Sequence, residues 1–238
     1  MKITIIMPTY NEAENLPKMA EALFNLPLDD LNLLVVDDNS ADGTGDIAEK
    51  LAKKYPGKLS IIHREGKLGL GSAYIRGFKH LLAGDSDVIG QMDADFSHPP
   101  EKIVELLVAL KDCDVAVGSR YIPGGSLDEN WPLWRKSLSS FANFYARTIL
   151  GLPIKDTTGA FRLIKRDALK KLPLDRIRSN GYVFQVELAY LKHKHGLSFK
   201  EVPIHFKERE FGASKMSFGI QIEAALRVWS LLWQYRDL

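Results

Sequence analysis

The chain predicts an α/β protein with a mostly parallel central sheet flanked by helices. Two observations carry that expectation. Short β-branched runs alternate with helical patterns four times through the first half. The residues of unusual chemistry fall in the loops that follow those runs, where ligands bind in sheets of this kind. At 238 residues, 45% hydrophobic and 26% charged, the chain suits one large domain or a domain with an appendage.

The elements follow in order. Ile3–Met7 reads as the first strand, with a helical pattern over 12–24. Leu33–Val36 precedes a helix over 43–54, Leu59–Ile62 one over 71–82, and Val88–Met92 one over 100–110. Val115–Val117 closes the alternation. Residues 122–133 are rich in Pro and Gly around Trp131 and read as a mobile loop. Leu138, Phe141, Tyr145 and Ile149 share one stripe of a helix over 134–150. Phe218, Ile222, Ala225, Trp229 and Leu232 do the same over 217–238. Core packing is the first reading of both stripes. A membrane-surface role is the rival, because residues 229–236 are rich in Trp, Leu, Tyr and Arg.

Charge is unevenly spread. Residues 1–119 carry 12 Lys/Arg against 19 Asp/Glu, net −7, and residues 120–238 carry 20 against 11, net +9. This pattern points to metal handling in the first half and anion or membrane-surface contact in the second. No dense basic run or nucleic-acid motif supports a nucleic-acid partner. The single Cys113 excludes an internal disulfide. No stretch reaches the roughly 20 apolar residues of a membrane span, and the N-terminus lacks a signal-peptide layout, so a cytoplasmic protein is expected.

The loops carry the chemistry. Asp93 and Asp95, two residues apart where a strand ends, project to one side and suit a hard divalent cation with its phosphates. A solvated turn is the competing reading. Asp37 and Asp38 end the second strand, and one of them can accept hydrogen bonds from a base or ribose. Asp42-Gly43-Thr44 reads as a turn into a helix. The loop at 66–72, with Lys67, Gly69 and Gly71, matches no phosphate fingerprint. Its glycines suit positive φ and close approach, and beside the acidic loops it suggests a nucleotide across the sheet edge. In the basic half Arg120, Arg135, Arg209 and Lys215 sit beside loop, Gly or Ser residues where a phosphate could approach.

Taken together, the motifs resemble a known family. Pro8-Thr9-Tyr10-Asn11-Glu12, Val36-Asp37-Asp38-Asn39-Ser40-Ala41-Asp42-Gly43-Thr44, Lys67-Leu68-Gly69-Leu70-Gly71 and Met92-Asp93-Ala94-Asp95 occur in that order. They are followed by Gly118-Ser119-Arg120-Tyr121, Asp156-Thr157-Thr158-Gly159-Ala160-Phe161-Arg162, Gly181-Tyr182-Val183-Phe184-Gln185 and Gly212-Ala213-Ser214-Lys215. The set resembles the dolichyl-phosphate (polyprenyl-phosphate) mannose synthases of the family-2 glycosyltransferases.

The resemblance implies a GT-A catalytic domain over 1–215 and a C-terminal amphipathic helix over 216–238. It implies inverting transfer of mannose from GDP-mannose to a polyprenyl (dolichyl) phosphate, with Mg2+ or Mn2+. Pro8, Tyr10, Glu12 and Asp38 would contact the nucleotide, together with Lys67 and Gly71. Asp93 would lie near ribose and metal, and Asp95 would be the principal metal carboxylate. Arg120, Arg135 and Ser139 would hold the lipid phosphate, and Arg209 and Lys215 the donor diphosphate.

Ser97 stands where some relatives carry a metal-binding Gln, so it is the third candidate ligand. Many relatives continue into transmembrane helices. This chain would instead act peripherally on the cytosolic face of a membrane, as a short form or beside a separate anchoring subunit. Asp156 is the candidate general base if one is required, with a structural role in its Thr/Gly turn as the alternative. Rival readings are a UDP-glucose or other nucleotide-sugar transferase, a nucleotidyltransferase, and a non-catalytic nucleotide-sugar-binding subunit.

Overall fold

The protein, seen here as a computed structural model, is described over residues 1–208 and 218–238. Its strands are β1 (Ile3–Thr9), β2 (Leu31–Asp37), β3 (Leu59–His63), β4 (Val88–Gln91), β5 (Val115–Ser119), β6 (Ser126–Leu127), β7 (Arg162–Lys165), β8 (Phe199–Pro203) and β9 (His205–Phe206). Its α-helices are α1 (Asn15–Phe24), α2 (Thr44–Lys54), α3 (Leu70–Leu82), α4 (Lys102–Ala109), α5 (Leu133–Leu150), α6 (Arg166–Lys170), α7 (Gly181–Lys194) and α8 (Phe218–Gln234). Every strand and helix expected from periodicity is present, with ends shifted by a few residues.

Among the described residues the main sheet runs β3-β2-β1-β4-β7-β5-β8. β1, β2, β3 and β4 are parallel, while β7 inserts antiparallel between β4 and β5. The chain winds outward through β2 and β3, then returns to the other side of β1 as β4. The crevice between the ends of β1 and β4 is therefore the switch point of the sheet.

Alternation along the strands fills two cores. Ile6, Leu34, Val36 and Ile89 face Tyr74 and Phe78 of α3 and the apolar sides of α5, α7 and α8. Ile5, Met7, Leu33 and Val35 face Leu16, Met19 and Leu23 of α1, with Ile103 and Leu106 of α4.

α8 belongs to the first core through Val228, Leu231 and Tyr235. A buried carboxylate fixes it there. Glu187 of α7 accepts hydrogen bonds from Ser179 N (2.7 Å), Tyr235 Oη (2.8 Å) and Gln234 Nε2 (2.8 Å). Burial alone would raise its pKa, but these donors outweigh burial and hold it below the usual range.

Three expectations need correction. Phe141 and Trp229, read as members of packed stripes, stand in solvent. The inner face of α5 is instead Asn143, Ala146 and Leu150, because loop backbone satisfies the Asn143 amide. Residues 122–133 are tied down rather than left as a mobile loop: β6 pairs with β9, and Trp131 is buried edge-on to Phe206. The sequence reading also passed over β7, whose short run Arg162–Lys165 carries too little pattern to stand out.

Glu187→Ala should cost about 2–4 kcal/mol of stability, since several buried donors lose one acceptor. Urea unfolding measures it, and Glu187→Gln should recover part of the loss.

Candidate active site

The loops after β1, β2, β3 and β4 meet at the carboxyl edge of the sheet. Asp37 is structural. It accepts from Thr9 Oγ1 (2.9 Å), Ser40 N (3.0 Å) and Ser40 Oγ (2.6 Å), closing the turn after β2. Asp42 does the same for the next turn, accepting from Ala13 N (3.0 Å) and Thr44 N (3.0 Å). This is the turn role expected of it.

Asp38 pairs with Arg64, and Gly69 N donates to its other oxygen (3.2 Å). Arg64 continues to Ser72 Oγ (2.6 Å), so Asp38 reaches the glycine-rich loop through a cation that sequence reasoning missed. In that loop Gly69 has φ +95°, and a Cβ on Gly71 would lie 2.8 Å from Ser179 O and from Phe184. Close packing therefore requires Gly71 whatever it does for a ligand. Lys67 Nζ lies 3.8 Å from the centre of the Tyr10 ring, uniting two expected nucleotide contacts. Pro8 pairs in register with Val36, and Glu12 receives the Asn15 side-chain amide (2.8 Å) at the start of α1.

The β4 loop holds the two candidate metal carboxylates beside the switch point. Asp95 is buried, and its Oδ1 accepts from Ser97 N (3.1 Å) and Ser97 Oγ (2.6 Å). The Ser97 hydroxyl hydrogen is thus directed at the carboxylate. Phe96, between them, has φ +58°. Asn11 and Asn39 are the other described non-glycine residues with positive φ, at +60° and +56°, in the loops after β1 and β2. Strain of this kind concentrates at functional sites, and it is most costly at a bulky residue such as Phe96.

Asp93 accepts from Tyr74 Oη (3.3 Å), and its N–H donates to Nδ1 of buried His98 (3.2 Å). Burial lowers the pKa of His98, so the ring is neutral, with the proton on the other nitrogen. His98 stacks on Phe161 at 5.2 Å and lies within electrostatic reach of Asp93, Asp95, Arg120 and Asp156. Neither Tyr74 nor His98 was singled out from sequence. Only the nearness of His98 to Asp93 and Asp95 could have signalled it.

Two carboxylates on one edge, without a closed cage of His, Cys, Asp and Glu among the described residues, suit a cation that keeps substrate phosphates and water as its remaining ligands. The residues present fit Mg2+ or Mn2+ in that sense.

Across the edge lies the basic wall. Arg120, just after β5, forms a bidentate pair with Asp156, Nε to Oδ2 at 2.7 Å and Nη2 to Oδ1 at 2.6 Å; its Nη2 also donates to Thr158 Oγ1 (2.8 Å). Burial pushes the Asp156 carboxyl up, but the Arg120 guanidinium outweighs it and holds the group below the usual range. Gly159 N also donates to Asp156 Oδ1 (3.0 Å), so both oxygens are engaged within the turn, as the structural reading of Asp156 expects. Tyr121 Oη donates to Ser139 Oγ (2.6 Å). Arg135, one turn earlier on the same face of α5, lies 3.6 Å over the Trp131 ring and pairs with Glu208 (2.8 Å). Arg120, Ser139 and Arg135 are thus brought to one wall. Lys207 N donates to Ser97 O (3.4 Å), carrying the chain past Asp95. Arg209 and Lys215 lie outside the described residues.

The model of the family described as Glycosyl transferase family 2 matches residues 4–173. The chain belongs to glycosyl transferase family 2. A polyprenol monophosphomannose synthase from Mycolicibacterium smegmatis is 44% identical over 94% of this chain and 84% of its own. An undecaprenyl-phosphate mannosyltransferase from Micrococcus luteus is 43% identical over 100% of this chain and 98% of its own. Among solved structures, glucosyl-3-phosphoglycerate synthase from Mycobacterium tuberculosis, in complex with Mn2+ and UDP, superposes with a TM-score of 0.66 at 17% identity. The match covers 98% of this chain and 79% of that one. A mannosyltransferase from Pyrobaculum calidifontis with GDP-Man and Mn2+ gives 0.63 at 17% identity, over 94% of this chain and 61% of that one. The family-2 chain therefore has the expected GT-A fold.

Asp156→Asn should cost about 3–5 kcal/mol, because it leaves Arg120 buried without its counter-charge. The pH dependence has a definite sign. With a lowered folded pKa, the carboxyl contributes stability that is fully present above its ordinary value of 3.8 and is lost as pH falls through the lowered one. Urea unfolding across acidic pH should show this limb in the wild type and lack it in the variant.

Proposed function

We propose that the protein transfers mannose from GDP-mannose to the phosphate of a polyprenyl (dolichyl) phosphate, with inversion at the anomeric carbon and a requirement for Mg2+ or Mn2+. One observation carries the reading: an acidic crevice at the switch point and a basic wall from β5 and α5 face each other across one sheet edge, with buried His98 within electrostatic reach of both. The names of the two relatives supply the acceptor class and the hexose. The Pyrobaculum neighbour supplies the precedent for GDP-mannose with Mn2+ on this fold.

The chemistry follows from charge. Asp93 and Asp95 are the residues to hold the cation, which when bound neutralises charge developing on the departing diphosphate. Tyr74 and Ser97 orient those carboxylates through their hydroxyls. Tyr10, Lys67, Asp38, Glu12 and Pro8 line the nucleotide side, and Arg209 and Lys215 are assigned to the diphosphate. Arg135 and Ser139 meet the acceptor phosphate, while Arg120, expected beside them as a phosphate ligand, is engaged through Nε and Nη2 with Asp156 and Thr158 and instead holds the wall in place. A phosphate monoester with a second pKa of about 6 is already largely dianionic at neutral pH. It needs positioning, not deprotonation, which accords with an Asp156 locked against Arg120. The protein works at the cytosolic face of a membrane, where such an acceptor resides.

Asp95→Ala should lower transfer by on the order of a hundredfold or more while the unfolding midpoint stays near the wild-type value. Near-normal turnover would remove Asp95 from the cation site. Arg135→Ala should raise the KM for lipid phosphate about tenfold, the value of one charge-assisted hydrogen bond, and leave the KM for the nucleotide sugar nearly unchanged. Equal effects on both would take Arg135 off the acceptor wall.

A further inference from the structure

The basic wall carries two guanidiniums, and each meets a carboxylate of this chain on different terms. Arg120 and Asp156 are joined at two points, and Gly159 N closes on the same carboxylate. Arg135 and Glu208 meet at one point, Nη1 to Oε1 at 2.8 Å. The Glu208 side chain is 44% exposed, whereas that of Asp156 is 0% exposed. A buried bidentate pair is fixed, but an exposed single-point pair contributes little and exchanges readily.

Neither end of the Arg135–Glu208 pair depends on the pair for its position. The Arg135 guanidinium lies 3.6 Å over the ring of Trp131, which is buried edge-on to Phe206. Glu208 is held through its backbone, its N–H donating to Asp128 Oδ2 (2.9 Å). Asp128 O in turn accepts from Trp131 N (3.2 Å), and Asp128 N donates to Phe206 O (2.8 Å). One residue thus anchors both the platform under Arg135 and the chain that carries Glu208. The Glu208 carboxylate can leave Arg135 with both backbones in place.

We propose that Glu208 is a resident counter-ion that the acceptor phosphate replaces on Arg135, and that it sets how strongly this wall takes an anion. The inference rests on the function proposed above, which puts the acceptor phosphate at Arg135 and Ser139. Carboxylate and phosphate oxygens both suit the guanidinium fork. A phosphate monoester brings a charge of about −1.5 to −2 at neutral pH, against one for the carboxylate, so it is the stronger partner. Crowded onto one guanidinium the two anions repel each other. The exchange relieves this, because the Glu208 side chain has solvent to turn into.

The consequence is selective. A competing carboxylate lowers the apparent affinity of every anion by one factor, the fraction of time for which Arg135 is open. Weakly held monoanions, such as phosphodiesters, then fall below useful occupancy while a dianionic monoester stays bound.

The test is calorimetric binding of citronellyl phosphate, a short phosphate monoester, to the wild type, Glu208→Gln, Arg135→Ala and Arg135→Ala/Glu208→Gln. Transfer from GDP-mannose to the same compound and to a polyprenyl phosphate is followed alongside. Glu208→Gln should tighten binding about two- to fivefold, the weight of an exposed ion pair. The acceptor KM should fall by the same factor, while the KM for GDP-mannose stays as it is. On the Arg135→Ala background the Glu208 substitution should lose most of its effect, since the pair is already gone. Binding to Glu208→Gln that is unchanged or weaker, or that tightens just as much without Arg135, would overturn the exchange. So would a monoester bound by neither the wild type nor Glu208→Gln. Tighter binding to Glu208→Gln in a protein that mannosylates neither acceptor upholds the exchange and overturns the function.

Discussion

The buried pair of Arg120 and Asp156 sets the geometry on which one side of the site depends. Burying two charges is costly, and such a pair is weak evidence for stability in itself. What it provides here is position. Arg120 leaves the end of β5 and Asp156 precedes β7, which runs back between β4 and β5. Thr158 receives Arg120 Nη2 and also the Asn143 side-chain amide (3.1 Å), so the same cluster holds the inner face of α5 against the sheet edge. Ser139 and Arg135 are presented as a consequence.

The acidic side is built differently, from strained turns and short hydrogen bonds. Asn11, Asn39 and Phe96 take left-handed backbone in the loops after β1, β2 and β4. The Phe96 turn lets Ser97 close on Asp95, and Tyr74 and His98 hold Asp93 from beneath. An edge strained on one side and pinned by an ion pair on the other is a rigid frame, which the proposed transfer between two anionic substrates requires.

Much of this was legible in the sequence. Strand and helix alternation located the loops, and spacing alone brought Asp38, Lys67, Asp93 and Asp95 to one edge. Three kinds of feature were not. The Arg64 partner of Asp38 and the Tyr74 partner of Asp93 come from elements whose periodicity records only their burial. The insertion of β7 is a long-range pairing that no local pattern encodes. The stripes of α5 and α8 were placed on the wrong sides at Phe141 and Trp229, because each helix carries more apolar residues than one buried face can hold. That surplus is itself information, since it forms the exposed aromatic face.

The central claim is a donor crevice and a phosphate-acceptor wall sharing one edge. It is tested most directly by incubating the purified protein with GDP-mannose, UDP-glucose or other nucleotide sugars and a polyprenyl phosphate, with and without EDTA, and following the lipid product by mass. The account predicts a mannosyl-phosphoryl-polyprenol formed from GDP-mannose alone and abolished by EDTA. A glucosylated lipid from UDP-glucose, or an undiminished yield under EDTA, would contradict it.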